Sequence, residues 1–220
     1  MTKPRQLPFE LPHRASFARA DFIETESNRL AVDAVDAWPA WPHPVLFLSG
    51  PAGSGKTHLA SAFALEHGAV VPAHGQGFAQ EPGFVAVIDD IDRTDLTEPE
   101  IFAVVNAART GLGTVLITSR VSAPALKVAL PDLASRLRAA TQVAIGAPDD
   151  ALLEGVLFKL FADRQMDVDP RLLSYVVPRM ERSVVAAQTL VDRLDRESLA
   201  AGRRVTRALV SAVLDDLNAA

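Results

Sequence analysis

The sequence predicts an α/β fold, with a five-stranded parallel sheet flanked by helices, followed by a small all-helical domain. Short apolar runs alternate with helical patterns between about residues 45 and 145, which is typical of parallel strands joined by helical crossovers. From residue 148 onward the pattern is helical only. We therefore predict three segments: an N-terminal tail (1–16), an α/β domain (17–147) and a helical domain (148–220).

The composition is that of a globular protein. The chain has 220 residues, of which 49% are hydrophobic and 22% charged, enough for one sizeable domain and a small second one. It has no cysteine, which excludes disulfides and thiolate metal sites and fits a reducing cytoplasm. No secretory signal or membrane span is visible. With a net charge of −5, no strong direct binding to nucleic acid is expected.

A glycine-rich loop follows the first apolar run, 45–48. It matches the phosphate-binding pattern through Gly50, Pro51, Ala52, Gly53, Ser54, Gly55, Lys56 and Thr57. The glycines allow backbone N–H groups to point at phosphate oxygens, and the helix that begins near His58 adds a partial positive charge. Lys56 is predicted to reach the β- and γ-phosphates, and Thr57 to bind Mg²⁺. A chance glycine-rich turn before a helix is the alternative.

A second apolar run, 84–88, ends in Asp89 and Asp90. Carboxylates at this edge of a parallel sheet lie where a bound nucleotide carries its metal ion. We expect Asp89 to hold the Mg²⁺ shell, and Asp90 to polarise water or to have a structural role. A helix cap or turn is the other interpretation of two acids after a strand.

The remaining strands and helices are predicted from local patterns. The five strand candidates are 45–48, 69–71, 84–88, 114–119 and 143–145. Ser27 is the predicted N-cap of a helix over 28–37, and Thr97 that of a helix ending near Gly111. The helical domain is predicted to contain four helices, with start signals at Asp149 or Asp150, Asp169, Ser183 and Thr206. Ser119, at the end of its strand, is predicted to contact the γ-phosphate, with a plain turn as the alternative.

Two segments outside this pattern allow either a binding role or simple packing. Trp38 and Trp41, in a proline-rich linker, could stack on a nucleotide base or pack the linker against the core. In the tail, the motif over 6–11 places a glutamine before large apolar residues in an extended segment. Its candidate partner-binding residues are Gln6, Leu7, Phe9 and Leu11, and packing on the protein's own domain is the alternative.

The motifs together resemble a known family. The phosphate loop, Ile88–Ile91, Phe102–Asn106 and Leu116–Ser119 look like the AAA+ module of the bacterial replication initiator DnaA. The segment 130–137 is closer still to the Hda family, the DnaA-related regulatory inactivators. The resemblance spans about residues 17–220. The expected absence of the DNA-binding and N-terminal domains of DnaA favours Hda. The tail motif also favours it, because the motif is similar to the sliding-clamp-binding peptide of that family. The match is imperfect at the third, fourth and fifth positions of the motif, which are Pro8, Phe9 and Glu10 here.

The resemblance also implies residue roles and partners. Arg136 falls on the arginine finger that reaches the nucleotide of a neighbouring subunit, and Arg182 on the sensor-2 position, with Val185 as the alternative match. Ser119-Arg120 replaces the family's usual Ser/Gly-Asp, so a weak intrinsic ATPase is expected. The implied partners are DnaA and the DNA polymerase sliding clamp (beta subunit), and a homo-oligomer is compatible. The implied function is clamp-dependent promotion of ATP hydrolysis by DnaA, which restrains replication initiation.

Two other function classes remain open. An ATP-driven loader or DNA-remodelling ATPase shares the module, but would need substantial intrinsic turnover and DNA contacts. A small-molecule kinase shares the phosphate loop, but would not need the 130–137 segment or the helical domain.

Overall fold

The structure, a computed structural model, describes residues 18–78, 81–202 and 204–218. The chain divides into two compact units, and the boundary lies between Asp149 and Asp150. The first unit contains the sheet and the phosphate loop, and the second contains only helices. In the described part of the chain, no helix combines the length and the apolar character needed to cross a bilayer.

A parallel sheet forms the centre of the first unit. Its strands are β1 (Val45–Ser49), β2 (Phe84–Ile88), β3 (Gly113–Ser119) and β4 (Thr141–Ala144), in the spatial order β2-β3-β1-β4. All neighbouring strands are parallel, as predicted. The register pairs Ser49 of β1 with Ser119 of β3, and Ile88 of β2 with Ile117 of β3. The carboxyl ends of β1, β2 and β3 therefore meet at one edge.

The prediction of five strands is wrong, because the described sheet has four. The predicted strand over 69–71 contributes an isolated parallel bridge between Val70 and Ala86. Val70 N–H donates to Val85 O at 2.8 Å and Val87 N–H donates to Val70 O at 3.0 Å. The pairing does not continue since Pro72 has no N–H to donate, and the neighbouring Val71 is 63% exposed.

Helices cover both faces of the sheet. They are α1 (Arg29–Asp36), α2 (Lys56–His67), α3 (Glu98–Arg109) and α4 (Pro131–Ala139). Alternate strand residues point to opposite faces, so Phe47 and Ile117 join the core under α3 and α4, while Leu46, Leu48 and Leu116 join the core under α1 and α2. Both cores are apolar, which explains the continuous hydrophobic runs over 45–48 and 84–88.

Of the two N-caps predicted in this unit, Thr97 is confirmed and Ser27 is wrong. The Thr97 side chain accepts the N–H of Glu100, and the Glu100 carboxylate accepts the N–H of Thr97, which is a complete capping box. Helix α1, by contrast, is preceded by Asn28 and not by Ser27. Asn28 Oδ1 accepts the N–H of Thr25 at 2.9 Å, so its side chain stabilises the preceding turn instead.

The two tryptophans pack the linker against the core, which agrees with the second of the two interpretations. Trp41 stacks on Phe63, with 5.3 Å between ring centroids, and its indole N–H donates to Ala34 O. The Trp38 indole N–H donates to Thr114 Oγ1 at 3.0 Å. Both polar ring atoms therefore have partners within the unit.

The second unit consists of α5 (Asp150–Asp163), α6 (Pro170–Val176), α7 (Val184–Ala201) and α8 (Arg207–Asn218). Asp169 caps α6 by accepting the N–H of Arg171, and Ser183 caps α7 by accepting the N–H of Ala186. These helices enclose their own apolar core, in which Leu157, Val191 and Val210 are completely buried. The unit therefore has a core distinct from the two cores beside the sheet.

Candidate functional site

The phosphate loop connects β1 to α2 at the carboxyl edge of the sheet. Gly50 N–H donates to Ser119 O at 3.1 Å, which ties the start of the loop to β3. A Cβ at Gly50 would lie 2.5 Å from both the backbone oxygen and Cγ2 of Ile145, so only glycine fits there. Gly53 and Gly55 have φ of 71° and 94°, which favour glycine. The chain thus needs glycines at the positions where the motif has them.

Lys56 is nearly buried at the first turn of α2, and its side chain folds back over the loop. Its Nζ donates to Gly50 O and Pro51 O, both at 2.8 Å. Burial lowers the pKa of its ammonium group below the ordinary value; the charge of Asp90 opposes this shift, and that of Arg120 adds to it. Lys56 is therefore held at the mouth of the loop, where phosphate oxygens would offer it stronger partners.

The other loop residues have distinct surroundings. Ser54 is buried, and its hydroxyl donates to Pro51 O at 2.9 Å, which closes the turn. Thr57 is exposed at the start of α2. His58 meets Phe22 edge to face, with 5.3 Å between ring centroids. Pro51 and Ala52 are exposed on the outer side of the loop.

The two acids after β2 lie opposite the end of β3. Thr118 Oγ1 donates to Asp89 Oδ1 at 2.6 Å and accepts the N–H of Asp90 at 2.8 Å. Asp90 has φ of 47°, which is uncommon for a residue with a side chain. The Thr118 hydroxyl therefore fixes the orientation of both acids. Sequence analysis included Thr118 only as a residue of the strand over 114–119, and gave no sign that its hydroxyl would contact both acids.

Ser119 is completely buried, and its hydroxyl donates to Asp92 Oδ1 at 3.1 Å. The backbone N–H of Arg120 donates to the same oxygen at 2.9 Å. Burial raises the pKa of the Asp92 carboxyl, but these hydrogen bonds and the charge of Arg120 outweigh it, so that the pKa lies below its ordinary value. Sequence reasoning missed Asp92, which shares the Asp-rich turn with two acids that fit the motif better.

Arg120 also reaches Asp90, with 3.5 Å between guanidinium Nη2 and carboxylate Oδ2. The structure thus brings together Lys56, Asp89, Asp90 and Ser119 as predicted, and adds Arg120 to the same edge of the sheet.

The residues present fit a nucleotide with a magnesium ion. A hydroxyl (Thr57) and a carboxylate (Asp89) are hard oxygen ligands of the kind that Mg²⁺ takes. Among the described residues no group of three or more His, Cys, Asp and Glu side chains has metal-binding geometry. A magnesium ion held here would therefore draw most of its ligands from water and from phosphate oxygens, as is usual for this ion.

Arg136 lies on α4 and contacts α3. Its guanidinium carbon is 4.2 Å from the centroid of the Phe102 ring, and its Nη1 donates to Asn106 Oδ1. The side chain is half-buried, so stacking and hydrogen bonding both restrict its motion. Arg136 is thus held beside α3, on the face of the sheet that α3 and α4 cover, whereas the phosphate loop lies at the carboxyl ends of the strands.

The remaining predicted residues belong to the helical unit and to the N-terminal tail. Arg182, in the helical unit, forms an ion pair with Asp150, with 2.8 Å between Nη1 and Oδ1. Val185, the alternative at this position, is 58% exposed. The predicted tail residues Gln6, Leu7, Phe9 and Leu11 lie outside the described residues.

Comparison with known proteins identifies relatives of both units. Residues 156–214 match the sequence family described as Hda, lid domain. The chain is 27% identical over 229 residues to an uncharacterized protein of Haemophilus influenzae, covering 96% of this chain and 99% of that protein.

Solved structures resemble nearly the whole fold. Domain III of the Thermotoga maritima replication initiation protein DnaA matches with a TM-score of 0.77 at 17% identity, covering 94% of this chain and 98% of that one. AMPPCP-bound DnaA from Aquifex aeolicus matches with a TM-score of 0.64 at 18% identity, covering 82% of this chain and 65% of that one. The fold is therefore that of the DnaA AAA+ module. The chain thus combines a fold similar to that of DnaA domain III with a helical segment that matches the Hda lid domain.

Proposed function

We propose that the protein is a regulator of replication initiation that binds ADP or ATP with Mg²⁺ and promotes ATP hydrolysis by DnaA. The observation that carries this proposal is the match of residues 156–214 to the Hda lid domain. A lid of this kind accompanies the DnaA-type fold, but its family points to the inactivator and not to the initiator. The catalytic pocket acted upon then belongs to the partner.

The nucleotide would bind at the phosphate loop. The loop would offer its N–H groups to phosphate oxygens, Lys56 would contact the β- and γ-phosphates, and Thr57 with Asp89 would hold the magnesium ion. His58 and Ser119 are further proposed nucleotide contacts, and Arg182 is proposed as one because of its resemblance to the sensor-2 position. The Aquifex aeolicus DnaA of the same fold is bound to AMPPCP, an ATP analogue, which supports this assignment.

Arg136 would act on the nucleotide of DnaA. An arginine offered to the γ-phosphate of a neighbouring subunit stabilises the negative charge of the transferring phosphoryl group. Of the five N–H donors of its guanidinium, the described part of the chain engages one, through Asn106. The remaining donors would be available to phosphate oxygens, while the Phe102 ring keeps the group oriented.

The tail motif over residues 6–11 would bring the protein to its place of action. We propose that it docks as an extended peptide on the DNA-loaded sliding clamp in the cytoplasm. Docking would raise the local concentration of the protein near DNA-bound DnaA. Homo-oligomer formation is compatible with this arrangement.

The test is ATP hydrolysis by the cognate DnaA, with and without this protein, in the presence of clamp loaded on DNA. We expect stimulation that disappears when the clamp is omitted. Arg136→Ala should reduce the stimulation at least tenfold, because an arginine finger contributes roughly 10³ to 10⁵ in rate. Arg109→Gln, an exposed arginine at the end of α3, is the matched control and should stimulate like the unchanged protein.

Two results would contradict the proposal. Full stimulation by Arg136→Ala would remove the arginine-finger role. Absence of stimulation, together with rapid ATP turnover by this protein alone, would indicate a loader or DNA-remodelling ATPase instead.

A further inference from the structure

Arg120 brings a positive charge to the carboxyl edge of the sheet, at a position where the resemblance implies an aspartate. Its guanidinium lies 3.5 Å from the Asp90 carboxylate. Arg120 is therefore within electrostatic reach of a carboxylate that hydrolysis at this site would use.

Both members of the Arg120–Asp90 pair are anchored through their backbones. The N–H of Arg120 donates to Asp92 Oδ1 at 2.9 Å. The N–H of Asp90 donates to Thr118 Oγ1 at 2.8 Å, and Asp90 O accepts the N–H of Arg93 at 2.7 Å. Asp90 has a left-handed backbone conformation, with φ of 47°. A residue with a side chain keeps such a conformation only where the surrounding structure holds it there. The side chains of the pair therefore start from fixed positions beside each other.

We propose that Arg120 restrains the protein's own nucleotide hydrolysis by occupying Asp90. In hydrolysis, Asp90 would accept the proton that water loses as the water oxygen bonds to the γ-phosphorus and the bond from that phosphorus to ADP breaks. A carboxylate oxygen engaged by a guanidinium is less available to orient water or to accept its proton. This inference rests on the proposed nucleotide site, and it gives a physical cause for slow intrinsic turnover.

A different role for Arg120 makes the opposite prediction. If the guanidinium left Asp90 and contacted the γ-phosphate, it would stabilise bound ATP and its hydrolysis, because phosphate is a stronger partner for arginine than one carboxylate. Removal of Arg120 would then weaken binding of an ATP analogue relative to ADP and slow the reaction. The two roles therefore differ in the sign of the rate change and in nucleotide preference.

The experiment compares Arg120→Gln, Arg120→Lys, Asp90→Asn and the double variant Arg120→Gln/Asp90→Asn in the full-length chain. Hydrolysis is measured in single turnover with protein in excess over ATP, and dissociation constants are measured for ADP and AMPPCP. We expect Arg120→Gln to hydrolyse ATP roughly tenfold faster, since a positioned base contributes 10² to 10⁴ in rate. Arg120→Lys should stay slow because it keeps the charge.

The binding data and the double variant identify the cause. Both dissociation constants of Arg120→Gln should stay within about twofold of the original values, since the pair restrains Asp90 and not the nucleotide. The double variant should lose the acceleration, because Asp90 is then absent. Arg109→Gln should match the unchanged protein in every measurement.

Three results would overturn the inference. Slower hydrolysis by Arg120→Gln with weakened AMPPCP binding would make Arg120 a phosphate contact. Unchanged hydrolysis with intact binding would show that the ion pair has no catalytic consequence, and it would leave the proposed action on DnaA standing. Failure of the unchanged protein to bind either nucleotide would overturn both the inference and the proposed nucleotide site.

Discussion

Arg136 depends on two side chains of α3 for its orientation. The Phe102 ring lies against its guanidinium and Asn106 accepts one of its N–H groups. Phe102→Leu keeps the apolar packing but removes the aromatic face. We expect a two- to thirtyfold loss of maximal DnaA stimulation, which corresponds to a cation–π interaction of about 0.5–2 kcal/mol. The measurement is the DnaA ATPase assay, titrated with each variant to separate maximal stimulation from the half-saturating concentration.

The same titration separates positioning from folding. The affinity of Phe102→Leu for ADP should be unchanged. Within the part of the chain that the structure describes, Phe102 packs against Arg136 and the core beside α3, and not against the phosphate loop. Asn106→Asp should also reduce stimulation, since a carboxylate would hold the guanidinium more tightly and compete with phosphate. If both variants stimulated DnaA fully, the contacts of Arg136 with α3 would have no functional role.

At the scale of elements, one carboxylate joins a loop to the start of α3. Glu100 accepts the N–H groups of Gly75 and Thr97 and contacts His74 Nδ1 at 3.0 Å. These bonds lower the pKa of the Glu100 carboxyl from 4.5 to about 2, and the bond from the Gly75 N–H has the largest effect. A depressed folded-state pKa means stabilisation that is complete above the unfolded-state value and is lost as the pH falls toward 2.

Glu100→Gln should therefore reduce the free energy of unfolding by an amount that is constant above about pH 5 and shrinks between pH 4.5 and 2. Denaturant titrations across this range measure the difference. Glu66→Gln, exposed on α2, is the control for the loss of one carboxylate elsewhere in the same unit. A difference between Glu100→Gln and the unchanged protein that persisted at the lowest pH would show that the carboxylate charge does not provide the stabilisation.

The elements that the sequence predicted correctly are those with strong local signals. The glycine-rich loop, the capping box at Thr97 and the Asp169–Pro170 helix start all depend on residues close together in the chain. The fifth strand failed because its extent depends on a neighbour: Val70 pairs with β2, but nothing in a short apolar run shows how far pairing will continue. The extent of strand pairing was thus less predictable than the helix starts at Thr97 and Asp169.

At the scale of the whole molecule, the site residues that belong to a sequence motif were predictable. Those that reach the site only through the pairing of distant strands were not. Lys56, Asp89 and Asp90 follow from their motifs, and parallel strands bring them to one edge. Thr118 as a bridge between the acids, and Arg120 as a partner of Asp90, depend on the register of β2 against β3. A register is a long-range property, which a single sequence does not specify.

We propose that the tail brings the whole molecule to DnaA by docking on the sliding clamp, and this role can be tested separately from the arginine finger. The double variant Gln6→Ala/Leu7→Ala removes the side chains that would anchor an extended peptide on the clamp. We expect clamp affinity to fall tenfold or more, because a few anchors carry most of the energy of such an interface. Surface plasmon resonance on immobilised clamp measures it.

The matched control for the tail is His13→Ala/Arg14→Ala, which alters the same segment outside the motif. It should bind the clamp like the unchanged protein. Both double variants should bind ADP normally, since the proposed nucleotide contacts all come from other residues. In the DnaA assay, Gln6→Ala/Leu7→Ala should lose the stimulation that depends on clamp-loaded DNA, whereas Arg136→Ala should lose it with clamp affinity intact. Clamp binding that survived Gln6→Ala/Leu7→Ala would remove the tail from the proposal and leave Arg136 to be judged on its own.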